Sequence, residues 1–196
     1  MNKDIIVPIV GIHLSGKSMS LSYLKRQGFI VENEIAEKIR IRDKRVAGAN
    51  GEISFEKCVA KEEYQRDTQR NYGGKICFIE SWHILTMAYM LSRGCTMEEL
   101  KNYFKYVSEY EKENQLYCIY LWATPSVLKT RFSRLHLQNE YEYIYNFYKN
   151  LNCNIEVVLN RLKIRYFKIN AMNTREMVCK ELDLVIDKIC ERIKDE

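Results

Sequence analysis

The chain is short of several residue types that mark specialised architectures. It has two prolines among 196 residues and no Pro/Gly-rich stretch, so nothing reads as a linker. A single domain over 1–196 is therefore expected, in keeping with cores of ~100–200 residues. Three histidines without paired ligand spacing argue against a tightly held, protein-ligated metal ion. No apolar run approaches the ~20 residues that cross a bilayer, so no membrane partner is expected. The opening MNKDIIVPIVG lacks the length and small-residue cleavage pattern of a secretory signal, which makes a cytoplasmic location the expectation. Repeats and low-complexity tracts are missing as well.

Excess charge is also small. Lys plus Arg number 31 and Asp plus Glu 26, a net +5. That suits phosphate-bearing ligands but falls short of the clustered basic face of a dedicated nucleic-acid binder, so no nucleic-acid partner is expected. Cysteine is not scarce, but its pattern is uninformative for bridging. The seven cysteines are odd in number, widely spaced and without a C-x-x-C pair, which indicates neither a disulfide framework nor a zinc site. Several lie inside apolar runs such as KICFIE and LYCIYLWA, where a reduced thiol packs as a small hydrophobe.

What is present is an alternation of short apolar runs with helix-like segments. Strands are expected at Ile5–Val10, 29–32, 75–80, 116–123 and 165–170. Between them, SMSLSYLKRQ reads as a helix stopped by Gly28, and the polar segment from Ser54 to about Arg70 as a second, with Ser54 as N-cap. Trp82 to Arg93 reads as an apolar helix, and Thr96 with Glu99 forms a capping box for a helix reaching about Glu113. Thr124-Pro125 starts another, Tyr141 to Leu151 is helical, and Asn173 with Glu176 caps the terminal helix. Strands separated by helices imply βαβ crossovers, hence an α/β fold with a mostly parallel sheet and helices on both faces. Pro8 is awkward within a central strand, because it donates no ladder hydrogen bond.

One motif dominates: Gly11-Ile12-His13-Leu14-Ser15-Gly16-Lys17-Ser18, or G-x-x-x-x-G-K-S, between an apolar strand and an amphipathic helix. Its glycines let consecutive backbone N–H groups point inward at phosphate oxygens. Lys17 supplies a mobile cation, Ser18 a hydroxyl ligand for Mg²⁺, and the following helix aims its N-terminus at the anion. Gly11, His13, Leu14, Ser15, Gly16, Lys17, Ser18 and Met19 are the residues expected to hold ATP, within a P-loop NTPase fold. There is no N-K-x-D for guanine, and no strand ends in Asp-Glu as helicase-type machines require. The compact kinase branch remains.

The segment Glu80-Ser81-Trp82-His83-Ile84-Leu85-Thr86-Met87-Ala88-Tyr89 resembles the D-R-Y-x-x-S-x-x-A-Y signature of thymidylate kinases, and more loosely the E-R-S segment of deoxynucleoside kinases. Leu121 to Tyr148 is similar to their strand, x-x-P, R-x-x-R lid and acidic-aromatic helix. The resemblance implies a kinase acting on a nucleoside or nucleoside monophosphate with ATP and Mg²⁺. It implies that Glu80 binds Mg²⁺ with Ser18 or orients the acceptor, and that Arg131 and Arg134 close a lid at about 131–140. Glu34 matches the place of a catalytic carboxylate, Arg40 and Arg42 could reach a substrate phosphate, and Trp82 could stack on a base. The tyrosines Tyr141, Tyr143, Tyr145 and Tyr148 read as packing, although one of them could stack on a base. Two departures stand out: Ser81 where the family has Arg after the acid, and His13 where thymidylate kinases usually carry a carboxylate. A non-kinase NTP-binding regulatory module stays open as an alternative. So does a nucleic-acid-end kinase, which the basic run Arg40–Arg45 motivates. Oligomeric state, a homodimer included, is also left open.

Overall fold

The computed structural model describes residues 3–127, 130 and 141–195. Strands β1 (Ile5–Val10), β2 (Ile30–Glu32), β3 (Ile76–Glu80), β4 (Gln115–Trp122) and β5 (Arg165–Asn170) form one sheet in the order β2-β3-β1-β4-β5. Every pairing is parallel. Parallel neighbours need long crossovers, and helices supply them: α1 (Lys17–Arg26), α2 (Ile35–Asp43), α3 (Ile53–Thr68), α4 (His83–Ser92), α5 (Lys101–Glu113), α6 (Tyr141–Leu162) and α7 (Arg175–Asp195). A 3₁₀ turn occupies Gly48–Asn50. This is the α/β architecture with a parallel sheet that the alternation implied.

β1 sits at the centre of the sheet and all six of its residues are buried, so both of its faces are covered. The chain leaves β1 toward β3 and β2, then crosses to β4 and β5 on the other side. Open α/β sheets bind ligands outside the carboxyl ends of their strands at such a reversal. Pro8 is accommodated by a local gap. It keeps register with Ile79 of β3, whereas the pairs with β4 are Ile5–Gln115, Ile6–Leu116, Ile9–Ile119 and Val10–Tyr120. The offset is the same on both sides of Val7 and Pro8. The missing donor therefore opens the ladder without slipping it.

Helix ends match the sequence in part. Thr96 and Glu99 do form a capping box: the Thr96 N–H donates to Glu99 Oε2 at 2.7 Å and the Glu99 N–H to Thr96 Oγ1 at 3.3 Å. Ser54 is not the N-cap of α3. The helix starts one residue earlier, and the Ser54 hydroxyl bonds Glu52 and Arg45. The last helix is capped by Thr174 and not Asn173, with the Met177 N–H donating to Thr174 Oγ1 at 3.3 Å. α6 runs on to Leu162, eleven residues past the expected end, because Ile155, Val158, Leu159 and Leu162 continue its buried stripe. All seven cysteines are free thiols. No described helix is long and apolar enough to cross a membrane.

Candidate active site

The loop after β1 curls as its glycines permit. Gly11 has φ 156°, and a Cβ there would lie 2.5 Å from both the Leu121 carbonyl oxygen and Ser15 Oγ. Gly16, at φ 100°, caps α1, whose first turn carries no acid. A helix N-terminus without acids is open to an anion. Lys17 Nζ folds back onto the loop, donating to the carbonyls of Gly11 at 3.1 Å and Ile12 at 3.3 Å. Ser15 Oγ is buried and meets no hydrogen-bond partner among the described residues. An orphaned hydroxyl, a mobile ammonium and a cradle that a Cβ would fill all suit a nucleotide's phosphates.

Two serine–carboxylate pairs stand beside the loop. Ser18 Oγ donates to Glu80 Oε1 at 2.7 Å, joining the start of α1 to the end of β3. Ser81 Oγ donates to Glu34 Oε1 at 2.8 Å, and the Ser81 N–H donates to the Ile9 carbonyl at 3.0 Å. Glu34 occupies the N-cap position of α2. The chain turns from β3 into α4 through Ser81 and Trp82, both non-glycine residues at positive φ (72° and 71°). Burial pushes the Glu80 carboxyl up, and the Glu34 charge adds to that, while the Ser18 hydroxyl and the Lys17 ammonium oppose it. An acid and a hydroxyl at 2.7 Å beside a phosphate loop form a fitting oxygen donor set for Mg²⁺.

Next to these pairs opens a cavity of about 510 Å³, within the ~300–1,000 Å³ range of small-molecule sites. His13, Glu34, Glu37 and Arg40 stand on the loop and α2 side. Phe55, Glu56, Val59 and Glu63 come from α3, and Leu85, Thr86 and Tyr89 from α4. Tyr148 of α6 closes one wall and stacks on His13, with ring centroids 6.4 Å apart and planes inclined by 16°. Desolvation by its neighbours, then the Lys17 ammonium, lower His13 to about 4, although the residue is exposed.

Behind the cavity lies a buried polar network. Thr86 Oγ1 donates to Glu63 Oε2 at 3.0 Å, and His83 bridges Glu63 and Asp67 at 3.3 and 3.1 Å. Trp82 Nε1 and Arg66 Nε donate to Asp67 at 2.7 and 3.1 Å. Nearby, Arg93 donates twice to Glu56 Oε1 and once each to the carbonyls of Gly48 and Ala49. Burial pushes Glu56 up to about 7 against the pull of Arg93.

The structure thus brings Gly11, His13, Leu14, Ser15, Gly16, Lys17, Ser18, Met19, Glu34, Glu80 and Arg40 to one region, with His13 facing the cavity. It removes two expected contacts. Trp82 is fully buried and tied to Asp67, so it presents no stacking face to the cavity. Arg42 points to Asp43 and Glu62, outside the cavity wall. Arg131, Arg134 and the lid segment 131–140 lie outside the described residues. Sequence reading missed Glu56, Glu63 and Tyr89, and took Tyr148 for packing. A signal for two of them was present: Glu56, Val59, Glu63 and Arg66 follow helical spacing, which puts acids on the same face as a buried valine.

No protein-family model matches the chain, and no curated protein matches its sequence. Among solved structures, the YorR protein of Bacillus subtilis, in complex with phosphorylated GDP, is similar in fold, with TM-score 0.58 and 11% identity over 93% of this chain and 95% of that one.

Proposed function

We propose that the protein is an ATP- and Mg²⁺-dependent phosphotransferase acting on a nucleoside or nucleoside monophosphate. The observation that carries this reading is the juxtaposition of the glycine-lysine loop and its Ser18–Glu80 pair with a walled cavity whose lining includes Glu34 and Ser81. A pure nucleotide binder needs the loop alone. Two adjoining sites, one for phosphates and one for a second molecule, suit group transfer, where catalysis is mostly positioning and charge stabilisation. The fold neighbour's complex with phosphorylated GDP adds support for a nucleotide ligand.

In this reading the loop amides and Lys17 bind the phosphates of ATP, and Ser18 with Glu80 holds the metal ion. Mg²⁺ when bound neutralises charge on the phosphates. Glu34 accepts the proton of the acceptor hydroxyl or orients it, and Ser81 fixes the rotamer of Glu34 through the 2.8 Å bond. Ser81 thus takes a positioning role where the resembled kinases carry arginine. The cavity walls exclude water from the acceptor. Arg131 and Arg134 would supply lid cations, and 1–196 would act as one catalytic domain.

The test is an acceptor screen: ADP release from ATP and Mg²⁺ in the presence of nucleosides, nucleoside monophosphates or short oligonucleotides. Stimulation by one class of acceptor is expected. ATP binding with no acceptor-dependent release would make the protein a nucleotide-bound regulator instead.

A further inference from the structure

We propose that the cavity admits an acceptor carrying no phosphate of its own, a nucleoside and not a nucleoside monophosphate, and that Glu56 and Glu63 receive its hydrogen-bond donors. This rests on the kinase reading above. Four carboxylates wall the cavity, Glu34, Glu37, Glu56 and Glu63, against one cation, Arg40. That cation shares an exposed pair with Glu37, in which Arg40 Nε and Nη2 donate to the two carboxylate oxygens at 2.8 and 2.7 Å. Arg93 lies against the same wall but is held by Glu56 and two backbone carbonyls. The residue after the strand-end acid is Ser81, whose hydroxyl goes to Glu34.

A phosphomonoester carries about −1.5 to −2 charge at pH 7. Among the described residues the cavity lining offers it one cation, the exposed Arg40, against four carboxylates. Burial pushes Glu56 up to about 7 and Glu63 upward as well. Protonating either one removes a negative charge and adds an O–H donor, but creates no positive charge. The cavity lining therefore stays acidic among the described residues, with two carboxylates facing Arg40 even when Glu56 and Glu63 are both protonated, and a dianion is repelled.

The same walls are built to accept hydrogen bonds. Glu63 gives Oε2 to Thr86 and His83, and among the described residues no donor meets its Oε1. Glu56 gives Oε1 to Arg93, and none meets its Oε2. Both side chains are nearly inaccessible elsewhere, at 2% and 4% exposure, and both line the cavity, where a ligand's donor can reach the oxygen left without one. A nucleoside brings sugar hydroxyls and ring N–H groups as donors, and Phe55, Leu85, Tyr89 and Tyr148 supply apolar walls for the ring.

The test uses the full chain with ATP and Mg²⁺. It compares ribo- and deoxyribonucleosides of each base with their 5′-monophosphates by ADP release and by calorimetric binding. At least one nucleoside is expected to exceed its monophosphate in kcat/KM by about 10²-fold or more. A monophosphate used as well as its nucleoside, or better, overturns the inference and leaves the kinase reading standing. Release stimulated by neither class overturns the kinase reading, and the inference falls with it. Glu63→Gln, which can still accept a bond from Thr86, should raise KM for the favoured nucleoside about 10-fold, a larger effect than on kcat. If that variant does not fold, Glu56→Gln carries the same readout. A KM unchanged in every folded variant of the two overturns the assigned role of these carboxyls.

Discussion

The loop after β1 and the cavity beside it are built on opposite plans. The loop is local and made mostly of backbone: eight consecutive residues, Gly11 to Ser18, shape a cradle through positive φ at Gly11, Leu14 and Gly16. The cavity is assembled from side chains on α2, α3, α4, α6 and the 3₁₀ turn, separated by more than a hundred positions. A cradle of amides recognises any phosphate, because backbone groups vary little with sequence. A wall of carboxyls and aromatic rings can be changed one side chain at a time, so selectivity belongs on the cavity side.

Substitutions can sharpen that contrast or break it. The largest effect is expected from Lys17→Met. Cationic groups on a transferring phosphoryl are worth ~10³–10⁵ in rate, so turnover should fall on that scale. Calorimetry should still show acceptor binding, and loss of acceptor binding would mean that loop and cavity are not separable. Glu34→Gln follows, with kcat reduced by ~10²–10⁴ and the ATP-induced thermal shift retained. Activity within a few-fold of wild type would remove Glu34 from the chemistry.

Glu56 allows a test of the cavity without substrate. Its folded pKa is raised from 4.5 to about 7. Below the unfolded value both states are protonated; between the two values the unfolded state ionises first, and the folded state loses relative stability up to pH 7. The wild type should therefore be less stable at pH 8 than at pH 4.5 through this group, by roughly 3 kcal/mol as an upper figure. Glu56→Gln should flatten that part of a chemical-denaturation profile, and an unaltered slope would contradict the assignment. The smallest effect is expected from Ser81→Ala. It removes one hydrogen bond, worth about 0.5–1.5 kcal/mol, and should lower kcat by roughly 10-fold with ATP affinity intact. An unchanged kcat would deprive Ser81 of its positioning role.

The same contrast explains how much could be read in advance. The loop was legible because its chemistry sits in one contiguous motif between a strand and a helix. The five strands were legible because parallel strands buried on both faces are continuous apolar runs, as IIVPIV shows. Glu80 was legible as the acid closing KICFIE. The cavity was not, because its residues meet only in three dimensions. α3 reads as a polar helix, yet Glu56, Glu63, Arg66 and Asp67 are all buried: residues in and next to α4 (Trp82, His83, Thr86 and Arg93) meet the three acids, while the terminal nitrogens of Arg66 meet no partner among the described residues. Trp82 misled for a related reason. An amphipathic ring beside a strand-end acid is a fair stacking candidate, but its N–H finds Asp67 and its rings fill the core.

Ser81 and Trp82 have a consequence for how this site can change. Trp82, at φ 71° and ψ 174°, occupies a region that glycine alone enters freely. Such a conformation costs about 1–3 kcal/mol and persists only where the surroundings over-determine it. At Ser81 glycine would relax the backbone but release Glu34, so durability and the hold on Glu34 pull that codon in opposite directions. At Trp82 they pull together, because emptying a fully buried ring costs about 3–5 kcal/mol, more than the strain it would relieve, and would also free Asp67.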